Sequence, residues 1–140
     1  MTSRIDPALV QAYRETEYRV LGAHAMVLRL DVHSDRLVSL HQAFLVECSV
    51  FITAYNPYSQ RADLEVNIRR QSELAELLES RGLVVFQGIG RHPGGRWAGE
   101  PGFLVPGMPL DEACDIGRQF RQNAIICCGV DATPRLILLR

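Results

Sequence analysis

An apolar segment that ends in a polar turn constrains this chain more than any other feature. Val50, Phe51 and Ile52 are β-branched or aromatic, and such runs are typical of a strand that is covered on both faces of a sheet. Asn56-Pro57 should end this strand, because proline lacks the N–H that a strand ladder needs and also restricts the residue before it. Ser59 is then in a position to cap a following helix. The sequence therefore predicts a core strand that ends in hydroxyl and amide groups.

The length and the charge balance limit the possible classes of protein. The chain has 140 residues, of which 47% are hydrophobic and 22% charged, and this is enough for one domain, residues 1–140, with a real core. The formal net charge is −1 and no basic stripe is present, which disfavours nucleic acid as a partner.

Two further patterns bear on location. No apolar run approaches the roughly 20 residues that span a bilayer, and the first 19 residues lack the apolar region of a secretory signal. The four cysteines form no C-x-x-C pair, which favours reduced, mostly buried thiols. We expect a cytoplasmic protein that has no membrane partner.

The order of the predicted elements indicates the fold class. Residues 48–130 are predicted to form strand 48–55, helix 60–81, strand 83–88, strand 102–105, a helix from about 109, and strand 124–130. This order is the split βαβ, or ferredoxin-like, signature of an α+β fold. The expected product is a mainly antiparallel sheet with both helices on one face. An N-terminal segment (1–47), predicted as helix, strand and helix, and a C-terminal strand (135–140) would extend this core.

Polar side chains gather at one end of the predicted sheet. A right-handed crossover makes strand 83–88 parallel to strand 48–55, and the next two strands run in the opposite direction. The end of the first strand therefore meets the start of the last one. We expect the side chains there to form a ligand-binding pocket, and these are Thr53, Asn56, Ser59, Gln122 and Asn123.

The long predicted helix carries two amides on its sheet side. Its apolar face is predicted to centre on Leu64, Ile68, Ala75 and Leu78, with Gln71 in the middle of that face. Asn67 lies one turn earlier, near the edge of the same face. Buried amides need hydrogen-bond partners, and these can be protein groups or a ligand. Asn67 and Gln71 are therefore candidate ligand-binding residues.

Three residues around the predicted loop at 90–100 complete the candidate site. Arg91 can bind an anion or lie on a solvated hairpin, and Trp97 can cover the core or stack on a ligand. Glu100 is the best candidate for an acid–base catalyst, because a neighbouring aromatic residue can raise the pKa of a carboxyl group in a polar pocket. No pattern specifies a metal site or a cofactor.

These motifs in combination resemble one small bacterial family, known as domain of unknown function three-two-nine-three. The resemblance covers nearly the whole chain and implies no particular activity. The motifs that carry it are Thr53-Ala54-x-Asn56-Pro57-x-Ser59, Asn67, Gln71, Gly90, Trp97, Glu100-Pro101, Phe103-Leu104-Val105 and Gln122-Asn123-Ala124-Ile125.

Three functional hypotheses follow from the sequence. The first is a module that binds a small ligand in the polar pocket, and the second is an enzyme that uses Glu100 there as general acid or base. The third is a structural or partner-binding domain in which the same polar residues only connect loops. A homo-oligomer is compatible with all three.

Overall fold

The computed structural model describes residues 3–95 and 99–140. The four α-helices in this part of the chain are α1 (Pro7–Glu15), α2 (Asp35–Phe44), α3 (Leu64–Ser80) and α4 (Leu110–Gln119). The seven strands are β1 (Glu17–Val20), β2 (Met26–Leu28), β3 (Ser49–Ile52), β4 (Phe86–Arg91), β5 (Glu100–Pro106), β6 (Ala124–Cys128) and β7 (Pro134–Leu138). Two short 3-10 helices cover Gly22–His24 and Pro57–Ser59.

The strands form one sheet in the order β2-β1-β4-β5-β3-β6-β7. Every neighbouring pair is antiparallel, so the predicted mixed α+β class with an antiparallel sheet is confirmed. β3 lies between β5 and β6, and it runs in the same direction as β4 because both are antiparallel to β5. The end of β3 therefore lies beside the start of β5 and the start of β6.

Helices cover both faces of β3. Leu74 of α3 and Ile116 of α4 pack in one core cluster with Val50 and Ile52. Leu37 of α2 packs on the other face, in a second cluster that contains Phe51 and Leu104. All four residues of β3 are buried, as its apolar sequence predicts.

The start and the rotation of α3 differ from the prediction. The helix begins at Leu64 and not at residue 60. Its buried face contains Asn67, Gln71, Leu74 and Leu78, whereas Leu64 and Ile68 are exposed. The prediction is therefore wrong for Leu64 and Ile68 and right for Gln71 and Leu78. The physical reason is that both amides bond to the end of β3, which leaves Leu64 and Ile68 on the outer side of the helix.

β4 also lies further along the chain than predicted. It spans Phe86–Arg91, so Gly90 and Arg91 belong to the sheet and not to a loop. β4 pairs with both β1 and β5, and Gly90 stands opposite Tyr18 on one side and Glu100 on the other. This register follows from pairing with β1, which the sequence pattern did not reveal.

Two facing glycines make room for Phe51 on the sheet. Gly88 and Gly102 are paired in register, and a Cβ atom at Gly88 would lie 2.6 Å from Cε2 of Phe51 and 2.8 Å from the backbone oxygen of Arg19. A Cβ atom at Gly102 would lie 2.5 Å from Cε1 of the same ring. Phe51 therefore lies directly on the backbones of β4 and β5.

This contact predicts different outcomes for alanine substitution at two glycines of β4. Gly88→Ala should lower the free energy of unfolding by about 1–3 kcal/mol, as overpacking does. Gly90→Ala should change it by less than about 0.5 kcal/mol, because its Cβ would meet Thr16 and Tyr18 at ordinary distances of 3.6 and 3.7 Å. Urea denaturation of both variants measures the difference. Equal stability of the two variants would contradict the packing.

Candidate functional site

A cavity of about 650 Å³ lies between α1 and the sheet face that carries Phe51. α1 forms one wall and contains no fully buried residue, since its inner side faces the cavity and not a packed core. The floor comes from the strands, and the polar end comes from the segments after β3 and before β6. The cavity is lined by Leu9, Ala12, Tyr13, Thr16, Tyr18, Phe51, Thr53, Asn56, Ser59, Arg61, Gly90, Glu100, Gln122, Asn123, Ala124, Ile125, Ile126 and Leu136.

The turn after β3 has an unusual backbone conformation. Asn56, Tyr58 and Ser59 have φ values of 45°, 55° and 58°, in the left-handed region that costs a non-glycine residue on the order of 1 kcal/mol or more. The N–H of Tyr58 donates to the backbone oxygen of Arg121 at 2.6 Å, and the N–H of Ser59 donates to that of Asn56 at 2.7 Å. The first bond fixes the turn against the segment that leads into β6, and the second closes the turn itself.

Ser59 consequently has a different role from the predicted one. It does not cap a helix, because Asp63 is the residue that precedes α3. Its hydroxyl forms a short hydrogen bond with the hydroxyl of Tyr13 on α1. Nδ2 of Asn123 donates to both oxygens, at 3.1 Å to Tyr13 and 3.3 Å to Ser59. Ser59 therefore joins α1 to the polar end of the cavity.

The two amides of α3 bond to the end of β3, as the sequence predicts. Oε1 of Gln71 accepts from the backbone N–H of Ala54 at 2.8 Å and from the hydroxyl of Thr53 at 3.3 Å. Oδ1 of Asn67 accepts from the backbone N–H of Asn56 at 2.9 Å. The predicted contacts are confirmed, but neither amide lines the cavity. Both lie behind its polar wall and support it.

The side chain of Asn56 is oriented by three hydrogen-bonding groups. Its Oδ1 accepts from the backbone N–H of Ala62 at 3.1 Å and from Nδ2 of Asn67 at 2.8 Å. Its Nδ2 must therefore point the other way, and it donates to Oε2 of Glu100 at 3.1 Å. The helix amide thus positions the carboxylate of Glu100 through Asn56.

Glu100 lies in the cavity with no cationic partner among the described residues. Burial raises the pKa of Glu100 from its ordinary value of 4.5 to about 7, and the hydrogen bond from Asn56 offsets this only in part. The sequence attributes a raised pKa to a neighbouring aromatic residue, whereas the cause in the structure is burial. A carboxyl group with such a pKa can gain or lose a proton near neutral pH.

Gln122 and Asn123 are buried at the inner end of the cavity. Nε2 of Gln122 donates to the backbone oxygens of Tyr55 and Phe120, at 3.1 and 3.2 Å. Oδ1 of Asn123 accepts from Nη1 of Arg140 at 3.2 Å. Both amides therefore point their donors at protein groups.

The structure brings six of the sequence-predicted site residues to one cavity. They are Thr53, Asn56, Ser59, Glu100, Gln122 and Asn123. Arg91 is not brought there, because it is exposed at the end of β4 and follows Gly90, whose position faces the cavity, so its side chain points to the opposite face of the sheet. Trp97 lies outside the described residues.

Sequence reasoning missed the contribution of the N-terminal segment. Tyr13 and Tyr18 both line the cavity, and neither is among the site residues that the sequence predicted. Leu9, Ala12, Tyr13 and Thr16 share one helix face at i, i+3, i+4 and i+7. That spacing indicates which side of α1 faces the protein, but it does not distinguish a cavity wall from a core contact.

Comparison with known sequences adds the family. The sequence profile of the family described as "Protein of unknown function (DUF3293)" matches residues 52–125, which is more than half of the chain. The chain belongs to the DUF3293 family. The matched range runs from the end of β3 to the start of β6 and contains all six cavity residues that the sequence predicted. Tyr13 and Tyr18 lie outside it.

Neither curated proteins nor solved structures gave a significant match to the chain. Among the residues that the structure describes, no helix is both long and apolar enough to cross a bilayer. The same part of the chain has no group of three or more His, Cys, Asp or Glu side chains that could hold a metal ion. The DUF3293 family has no established activity, so the cavity is the main source of functional evidence.

The bond between Gln71 and Ala54 predicts a loss of stability on substitution. Gln71→Met should lower the free energy of unfolding by about 1–3 kcal/mol, because the buried N–H of Ala54 would lose its acceptor. Ile68→Met on the exposed side of α3 is the matched control and should stay near wild type. Chemical denaturation measures both. A Gln71→Met variant that is as stable as wild type would show that the amide is not needed for folding.

The shifted carboxyl group predicts how stability depends on pH. The folded pKa of Glu100 lies above the unfolded one, so its contribution to stability is full below about 4.5 and is lost as the pH rises towards 7. Glu100→Gln should be on the order of 3 kcal/mol more stable than wild type at pH 8 and close to it at pH 4, since each tenfold change in proton affinity is about 1.4 kcal/mol. Urea denaturation across this pH range measures the difference.

Two comparisons make this result specific to Glu100. Burial lowers the pKa of His41, which reduces stability at acid pH. This effect is the same in wild type and in Glu100→Gln, so it cancels when their free energies of unfolding are subtracted. Glu73→Gln, at an exposed position of α3, should leave the wild-type pH profile unchanged. A constant difference between Glu100→Gln and wild type from pH 4 to 8 would mean that Glu100 titrates normally.

Proposed function

We propose that the protein binds a small organic molecule in the cavity between α1 and the sheet. The observation that carries this proposal is the cavity itself, whose volume of about 650 Å³ falls in the range of small-molecule sites, roughly 300–1,000 Å³. A domain whose polar residues only connect loops would need no such space. Most of the wall is apolar, and the polar groups converge at one end, which is the usual composition of a ligand site.

The packing around the cavity supports this proposal. Polar contacts hold α1 to the rest of the protein at the cavity wall, through the hydroxyl of Tyr13 and through the hydroxyl of Tyr18, which donates to the backbone oxygen of Tyr13 at 3.0 Å. The turn at 56–59, where three residues have left-handed backbone, contributes Asn56 and Ser59 to the cavity lining. Strained backbone of this kind is concentrated at functional sites.

A second candidate function is an enzyme that uses Glu100 as general acid or base. The observation that favours it is the pKa of about 7, which matches the requirement for proton transfer at neutral pH. Conversion of a bound compound that stops in Glu100→Gln, while binding persists, would distinguish the enzyme from a binding module.

We also propose a ferredoxin-like, split βαβ core for residues 48–130, within a single domain. The order β4-β5-β3-β6 and the antiparallel pairing support it, as does the common core cluster of α3 and α4.

A cytoplasmic location is proposed as well, on the basis of four free cysteines. The balanced charge supports the absence of a nucleic-acid partner.

A variant that fills the cavity tests the proposed binding function. Gly90 lines the cavity, so Gly90→Val should project its methyl groups into the ligand space and leave the fold intact. Gly129→Val is the matched control, because a Cβ atom there would meet no atom within 4 Å. Thermal-shift screening of a metabolite library should give compounds that raise the melting temperature of wild type and Gly129→Val but not of Gly90→Val.

Two results would contradict the binding function. One is that no compound in a chemically broad library stabilises the wild-type protein. The other is that every stabilising compound acts equally on Gly90→Val, which would place binding outside the cavity.

A further inference from the structure

The three side-chain amides at the polar end of the cavity already donate to protein acceptors. Nδ2 of Asn56 donates to Glu100, that of Asn123 to the hydroxyls of Tyr13 and Ser59, and Nε2 of Gln122 to two backbone oxygens. Two acceptors remain: within the described part of the chain, Oε1 of Glu100 and Oε1 of Gln122 accept no hydrogen bond. The cavity therefore suits a ligand that donates hydrogen bonds.

The register of the sheet leaves open space beside one of these acceptors. Gly90 is paired with Tyr18 on one neighbouring strand and with Glu100 on the other. Tyr18 and Glu100 are therefore separated by two strand spacings, roughly 10 Å. Gly90 has no side chain to fill the gap. Phe51 adjoins it, with its ring in edge-to-face contact with Tyr18 at 5.3 Å between centroids. An apolar body of a few atoms fits against these rings.

The charges around the cavity favour a cation over an anion. Among the described residues that line it, Arg61 and Glu100 are the only charged ones. Arg61 is exposed, so water already solvates its guanidinium group. Glu100 is largely buried and lacks a counter-charge among the described residues, and a buried carboxylate is costly unless it is paired. A cationic ligand would supply the partner that the protein does not.

From these observations, and on the basis of the proposed function, we infer a specific class of ligand. We propose that the cavity binds a small organic cation whose N–H groups donate to Glu100 and Gln122 and whose apolar part packs against Phe51 and Tyr18. Amidinium, guanidinium and primary ammonium compounds belong to this class.

Binding of such a cation should depend on pH through Glu100. The other titratable groups among the described cavity residues are Tyr13, Tyr18 and Arg61, and burial raises the pKa of Tyr18 further above neutrality. With a pKa of about 7 for Glu100, the ionised fraction rises about tenfold between pH 6 and pH 8. The affinity for a permanent cation should rise by the same factor.

Three aromatic probes of the same size test the inference by isothermal titration calorimetry. Benzamidine is a cation with N–H donors, benzamide is its neutral analogue and benzoate its anionic one. We expect benzamidine to bind at least tenfold more tightly than the other two, and about tenfold more tightly at pH 8 than at pH 6. Glu100→Gln should weaken benzamidine binding at pH 8 at least tenfold, whereas Glu73→Gln on the exposed side of α3 should not change it.

Each other outcome overturns the inference. Preference for benzoate would mean that Arg61 and not Glu100 selects the ligand, and equal binding of benzamide would mean that charge is not recognised. Benzamidine binding that is independent of pH and of Glu100→Gln would place the cation elsewhere. If none of the probes binds, the cation class is wrong, while the cavity's role in binding is still decided separately by the library screen with Gly90→Val.

Discussion

The site depends on the side-chain amide of Asn56. This one group bonds to the N-terminal end of α3 through Ala62 and Asn67 and to β5 through Glu100. Its backbone is in the left-handed conformation, which is unfavourable unless surrounding bonds compensate. The Asn67 amide compensates by bonding both the backbone and the side chain of Asn56. The turn, the helix start and the position of the carboxylate are therefore determined together.

The rest of the cavity follows from how the sheet is covered. α2 packs on one end of the face that carries Phe51, and α1 covers the other end without burying a side chain in the core. Gly88 and Gly102 let the ring of Phe51 lie on the sheet, and Gly90 leaves the neighbouring position empty. β4 therefore packs closely against Phe51 at Gly88 and leaves open space two residues later, at Gly90.

The sequence predicted the parts of this structure that depend on local chemistry. Asp6-Pro7 and Ser34 are typical of helix starts, and both side chains cap the helices that follow them. The breaking effect of Asn56-Pro57 and the polar end of β3 were also predictable. Together with the order of the strands, these signals predict that six of the cavity residues lie at one end of the sheet.

The errors arose where tertiary contacts overrode the local pattern. Periodicity placed Leu64 and Ile68 in the core, but the bonds from Asn67 and Gln71 to β3 rotate the helix so that both are exposed. Glycine is common in turns, so Gly90 predicts a loop that includes Arg91. In the sheet, pairing with β1 extends β4 to Arg91, and the part that α1 and β1 play in the cavity depends on that same long-range pairing.

The most direct test of this account is the titration of Glu100 in the free protein. ¹³C NMR of the side-chain carboxyl groups, assigned by comparison with Glu100→Gln, follows each carboxyl group from pH 3 to pH 9. An enclosed carboxylate whose partner is the Asn56 amide should titrate with a pKa of about 7. A midpoint near the ordinary value of 4.5 would show that water or a protein cation already satisfies Glu100, and it would contradict the account of the cavity.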